Sequence, residues 1–329
     1  KANETFINGQ TYLFNMAFID SLIPFVKGLE KASNIVVDEN PDYFVAPMMG
    51  AVPFIDVMHI LNEDFDISKV HYMPASSHVV NAKSVMGNWM DNFLAKNVTV
   101  DSPVKMIGID EVVSGSSATR VYRAVNQAIN RKKRELITGT LFGFDINDQE
   151  KFKNAVKQFD RISDSENFDF LSHIMGSRKR DVYSSNPEQL INDQKKLREI
   201  VKNHFANHIS YVSIGVEDSK LGTEARPRQR EYLGLRENGD VIPVSVEAII
   251  SMDKPNLCPA RYKLLSEKQG VRGHVCYSPV VEDFLVTDAY LTLLENIAKI
   301  GGKNPEKISP VNMRRILESS NFLDDQYKV

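Results

Sequence analysis

Between Tyr43 and Ile129 short apolar runs alternate with amphipathic stretches, and that alternation most restricts what this chain can fold into. "YFVAP" (Tyr43–Pro47) reads as a short buried strand. "AVPFIDVMHILN" follows as a helix that tolerates Pro53 in its first turn, and "KVHYMPA" as a second strand. "VKMIGI" (Val104–Ile109) is the next strand. The helix after it carries Val121, Val125, Ala128 and Ile129 on one face, at i, i+4, i+7 and i+8. "ELITGTLFGFD" (Glu135–Asp145) reads as a further strand. Strand, helix, strand, helix is the pattern of a parallel sheet flanked by helices, an α/β fold, in which ligands gather at the carboxyl ends of the strands.

Outside this core the signals are sparser. "GQTYLFNMAFIDSLIPFVKGLEKA" (Gly9–Ala32) reads as a helix kinked or broken at Pro24. Ser76–Asn97 is mixed and polar and reads as a hairpin or mobile excursion. Beyond residue 150 polar-faced helices ("DQEKFKNAVKQF", "NPEQLINDQKKLREIVKNHFANH") mix with strands ("ISYVSIGVED", "DVIPVSVEAIISMD"), and "SPVVEDFLVTDAYLTLLENIAKIGG" is a helical segment with a glycine stop. A soft boundary falls near 146–165. Residues 1–150 then form one domain, and 151–329 an additional α+β region that is either its own domain or a cap on the first.

Composition narrows the classes. Among 329 residues no apolar run approaches the roughly 18 needed to span a bilayer, so no membrane association is expected. The opening "KANETFINGQTYLF" lacks a signal-peptide pattern. Two cysteines make no disulfide framework, and a reducing cytoplasm fits them best. A net charge of -3 gives no global pull toward nucleic acid, so any such binding needs a local basic patch.

The strand Val104–Ile109 runs directly into Asp110 and Glu111, then into "VVSGSSA" and a helix. A helix N-terminus presents free backbone N–H groups and a partial positive charge, which suits phosphate. Ser114, Ser116 and Ser117 add hydroxyl donors, and Gly115 permits close approach or positive φ. The two carboxylates can accept hydrogen bonds from sugar hydroxyls or hold Mg²⁺ through its waters. Acids for a ribose beside donors for a phosphate is what a phosphorylated ribose requires.

Here the chain resembles the type I phosphoribosyltransferases, and "DEVVSGSS" is most similar to the orotate phosphoribosyltransferase version of their motif. The resemblance implies that Asp110 and Glu111 are catalytic, contacting the ribose hydroxyls of phosphoribosyl pyrophosphate (PRPP) and holding Mg²⁺ through water. It implies that Val113, Ser114, Gly115, Ser116, Ser117 and Ala118 wrap the 5′-phosphate. It places a pyrophosphate turn at "APMMGAVPF", with Met48, Met49 and Gly50, and a closing hood at Ser76–Asn97, where Lys83 is either a candidate cation for the pyrophosphate or a solvated surface residue. These elements occur in order over roughly residues 35–145. The chain departs from the pattern in three ways. One residue is missing between the acids and the Ser-Gly pair, or else Ile109 takes the first acid's place. No basic residue stands in the pyrophosphate turn, and Ala118 replaces a common hydroxyl.

The resemblance implies transfer at the anomeric carbon through an oxocarbenium-like state, with pyrophosphate leaving and the hood excluding water. The acceptor is unidentified, and relatives usually pair as homodimers. The alternative is a non-catalytic ribose-phosphate sensor acting on a partner or nucleic acid through its C-terminal half. Other features are weaker. His204 and His208 have the i, i+4 spacing of a shared metal but also continue a stripe through Leu197 and Val201. Cys258, His274 and Cys276 match no standard zinc spacing. Arg226, Arg228 and Arg230 could contact a phosphate backbone or be a solvated basic loop, and Trp89 could stack on a base or anchor a hairpin.

Overall fold

The computed structural model describes residues 4–7, 10–13, 16–48, 50–76, 79–112, 115–142, 199–218, 227–246, 278–305 and 308–328. A small antiparallel pair, β1 (Glu4–Ile7) and β2 (Gln10–Leu13), precedes helix α1 (Met16–Glu39). The expected helix from Gly9 therefore begins later, and Pro24 lies inside α1 without ending it. What ends α1 is Asn40, which adopts φ 41° and donates its N–H to the carbonyls of Val36 and Val37. Asn is among the few residues that take this left-handed cap cheaply, and Pro41 cannot continue a helix.

The core is a five-stranded sheet in the order β4–β3–β5–β6–β7. Its strands are β3 (Tyr43–Met48), β4 (Val70–Pro74), β5 (Val104–Val112), β6 (Ile209–Asp218) and β7 (Val241–Val246). β3 runs parallel to β4 and β5, and β6 parallel to β7. Between the strands lie α2 (Val52–Leu61), α3 (Ala82–Asn97), α4 (Ser116–Phe142) and α5 (Pro227–Glu237). Helices α6 (Asp288–Ile300) and α7 (Pro310–Leu317) follow, capped by Thr287 and Ser309, whose hydroxyls accept from the N–H groups of Tyr290 and Val311. The α/β expectation holds: a parallel sheet with flanking helices.

Two expectations are corrected. Glu135–Phe142 is not a strand but the end of α4. Ala128, Lys132, Leu136 and Thr140 are all buried at intervals of four, so the helical stripe runs on through residues that favour strands locally. The strand position that this segment would have filled belongs to β6, so the sheet takes strands from both sides of residue 150. Ser76–Asn97 is no hairpin either, because from Ala82 it is the helix α3. Trp89, Met90, Phe93 and Leu94 are fully buried and fix it in place.

By contact density the chain divides into two units: Lys1–Phe93 with Lys105–Ala128 and Tyr211–Val329, and Leu94–Val104 with Ile129–Ser210. In the first, α1, α2 and α6 pack a common apolar core against one face of the sheet, including Phe44, Ile107, Ile109, Ile214 and Val216. Every α2 residue except His59 is buried, and among them is Asp56. Its carboxylate accepts from Tyr290 Oη at 2.7 Å and Asn312 Nδ2 at 2.8 Å, and Asn312 Oδ1 in turn accepts from Tyr72 Oη at 2.7 Å. This chain of hydrogen bonds ties α2, β4, α6 and α7 together. Burial pushes the Asp56 carboxyl up to about 6, while the Tyr290 and Asn312 bonds pull the other way.

In the second unit, His208 Nε2 lies 2.6 Å from the carbonyl of Thr99, and Lys133 Nζ donates to the carbonyl of Ala206. His204 is exposed, with its ring 5.8 Å from that of His208, and burial and its neighbour both lower its pKa.

Candidate functional site

In a sheet of this order the chain winds one way from β3 through α2 to β4 and the other way from β5 through α4 to β6. The turns after β3 and β5 therefore leave neighbouring strands in opposite directions, the switch point at which sheets of this type form a ligand crevice at the carboxyl edge. The β3–β5 register, Tyr43 beside Met106 and Val45 beside Gly108, carried forward sets Met48 alongside Glu111. The two stretches singled out in the sequence thus meet at one switch point.

Their residues take unequal positions. Met48 is buried in the apolar core, so its side chain faces away from any ligand. Met49, Val113 and Ser114 lie outside the described residues. Gly50 stands in the turn with open space where a Cβ would be, so nothing there demands glycine for fit. Lys83 is exposed in the first turn of α3. Ser116 and Ser117 open α4, and Ala118 is buried with Val112, Tyr232 and Val241.

β5 does not stop at Ile109 but continues through Asp110 and Glu111 to Val112. β5 lies between β3 and β6 in the sheet, and its extended form carries on through two residues of poor strand propensity. Adjacent strand residues face opposite sides of a sheet, so the two carboxylates do not form a side-by-side pair. Asp110 is buried on the face covered by α4, and Glu111 is half-buried on the other.

Burial raises the Asp110 carboxyl to about 7, opposed by hydrogen bonds from the Ser117 hydroxyl and the Glu111 backbone and by the Arg120 guanidinium. Among the described residues its Oδ2 has no hydrogen-bond partner, and neither has the buried Arg120 Nε. Through Ser117 the carboxyl sits against the N-terminal turn of α4. Ionised, it would occupy the positive end of the helix dipole that a phosphate would use. Neutral, it leaves that end free.

Asp110 and Asp56 both bind a proton more tightly folded than unfolded. Their stabilising contribution is complete below about pH 4 and is lost as the pH rises through about 6 for Asp56 and about 7 for Asp110. Urea unfolding at successive pH values should show stability falling across that window, by up to about 1.4 kcal/mol per pH unit for each group. Asp110→Asn should remove one share of the slope.

Three functional candidates have no sequence signal. Tyr232, fully buried on α5, donates from Oη to Glu217 Oε1 at 2.7 Å, and Arg236 Nη1 donates to Glu217 Oε2 at 3.1 Å. Gly115 has φ 72°, and a Cβ there would stand 2.5 Å from Tyr232 Cβ. The Tyr232 ring therefore supports the turn that starts α4, and Gly215 makes room for its hydroxyl. The Thr119 hydroxyl closes the turn by donating to the Gly115 carbonyl at 2.8 Å. Of this arrangement the sequence marked only Gly115, as a position that permits close approach or positive φ.

Of the remaining sequence candidates, Arg230 is exposed on α5, Arg228 lies in the same helix, and Arg226 lies outside the described residues. Cys258, His274 and Cys276 also lie outside them. Trp89 is buried in α3 and donates to the Ser319 carbonyl, which places it in the packing and not on a base. Compared with protein-family models, curated proteins and solved structures, the chain gives no match.

Among the described residues no group of three or more His, Cys, Asp or Glu is placed to hold a metal. Asp110, desolvated and inclined to the neutral form, is a poor oxygen ligand for Mg²⁺. The donor set of the described residues does not fit a resident Mg²⁺ site.

Proposed function

We propose that this is a type I phosphoribosyltransferase-like protein that binds PRPP or another ribose phosphate in the crevice between the turns after β3 and β5. The observation that supports it most is the meeting of those turns at the switch point, one of them leading into Gly115 and the Ser116–Ser117 start of α4. The backbone N–H groups and hydroxyls there suit a 5′-phosphate. Glu111, half-buried at the end of β5, suits the ribose hydroxyls, and Asp110 positions Ser117 from beneath. With an acceptor bound, the same site would serve phosphoribosyl transfer with release of pyrophosphate. Any Mg²⁺ would arrive with the phosphates of the ligand, and the chain would work in the cytoplasm as a homodimer.

One feature favours the non-catalytic form of this reading, a ribose-phosphate sensor acting on a partner or nucleic acid. The first turn offers Met48, Met49, Gly50 and Ala51, with no cation to neutralise a leaving pyrophosphate. Calorimetry with PRPP, with and without Mg²⁺, tests binding, and pyrophosphate release across a panel of nucleobases tests turnover. Binding with turnover identifies an enzyme and binding without it a sensor. Absence of binding contradicts both. Glu111→Gln should weaken PRPP binding about tenfold, since a charged hydrogen bond to ligand is worth about 1.5–3 kcal/mol. An unchanged affinity would remove Glu111 from the site.

A further inference from the structure

Helix α3 occupies the place of the expected hood, yet it is held by the far end of the chain. Asn88 and Asn92 form one i, i+4 stripe on it, and Trp89 and Phe93 another. Trp89 Nε1 donates to the Ser319 carbonyl at 2.6 Å, and Asn92 Nδ2 donates to the Phe322 carbonyl at 3.0 Å and to Asp324 Oδ1 at 2.9 Å. Asn88 Nδ2 donates to Asp324 Oδ2 at 2.6 Å, and the Asp324 N–H returns a bond to Asn88 Oδ1 at 3.0 Å. Phe322 meets Trp89 and Phe93 edge-on, both with ring centroids at 5.2 Å, and His71 of β4 at 5.9 Å. Leu323 is buried beside it.

The same segment leads out of α7, which Asn312 bolts to Tyr72 and Asp56 and whose Arg315 Nη2 donates to the Ser68 carbonyl. It therefore passes the outer strand β4 and ends on α3. The carbonyl of Ala75, just after β4, accepts from Arg120 Nη2 in the second turn of α4, so this margin borders the crevice.

We propose that residues 318–328 are a latch on α3, and that releasing it frees α3 from β4 and opens the approach to the turns after β3 and β5. The grip is built to let go before the core does. The bonds of Asn88 and Asn92 to Asp324 are solvent-exposed, where water replaces them at little cost, and a half-buried Phe322 with Leu323 supplies the apolar hold. The Trp89–Ser319 bond is the buried link that must break with them. α2, in contrast, is buried along nearly its whole length. Control of ligand entry rests on the ribose-phosphate reading, whereas the latch itself does not.

Two full-length variants test it: Phe322→Ala, and Asn88→Ala with Asn92→Ala. Backbone hydrogen exchange at residues 82–93 should quicken at least about tenfold in both, with α2 and β3 unchanged. Exchange that stays the same in α3, or that rises equally in α2 and β3, would overturn the latch. Where the wild type binds PRPP, its association rate should rise severalfold in both variants. An unaltered rate beside faster α3 exchange would overturn control of entry. PRPP binding to neither protein would sink the ribose-phosphate reading, and the exchange data would still decide the latch.

Discussion

Asp56→Ala should lower stability by on the order of 3 kcal/mol, read as a shift of the urea midpoint with an unchanged slope. The substitution removes the acceptor shared by Tyr290 Oη and Asn312 Nδ2, and leaves both buried donors without it. Each such orphan costs about 1–3 kcal/mol. The loss should be smaller at pH 8 than at pH 5, because the wild type itself carries the penalty of a desolvated carboxylate above about pH 6. Asp56→Asn keeps the volume but presents an amide to two donors, and should fall between wild type and alanine. A loss below about 1 kcal/mol in the alanine variant would mean that the four joined elements do not depend on this network.

Gly115→Ala should cost about 2–5 kcal/mol and abolish ribose-phosphate binding. At φ 72° an L-residue carries about 1–2 kcal/mol of left-handed strain, and its Cβ would press into Tyr232 Cβ and Cγ. Overpacking a filled site adds about 1–3 kcal/mol. Tyr232 is held to Glu217 and cannot retreat freely, so the α4 turn must move. Gly50→Ala is the contrast. Its Cβ meets nothing within 4 Å, and its stability should stay within about 0.5 kcal/mol of wild type. Equal effects at the two glycines would refute the brace by Tyr232.

The core of the sheet was legible where local pattern and burial agree. β3, α2, β4 and the start of β5 follow from apolar runs between turns, whereas α1 runs on past Ala32, where the sequence pattern ended it, to Glu39. Legibility failed where tertiary pairing overrode propensity. Asp110 and Glu111 look like a turn, yet β5 stays extended through them inside the sheet, and so separates their side chains onto two faces. Residues 135–142 look like a strand, yet Leu136 and Thr140 extend the buried stripe of α4. The contacts of Asp56 with Asn312 and of Trp89 with Ser319 span more than 200 positions, and no local signal carries them. For the candidate site, the sequence marked both turns, whereas Tyr232, Glu217 and Arg236, which shape one of them, could be found only in three dimensions.

Amide chemical shifts during titration with PRPP test the central claim most directly. The account predicts that Ala51 and Gly115 to Thr119, at the carboxyl edge of β3 and β5, shift together and saturate. A cleft of about 110 Å³ opens at the opposite edge beside Asn40, Phe44, Asp66 and Lys69. Shifts confined to those residues, or none at all at millimolar PRPP, would contradict it.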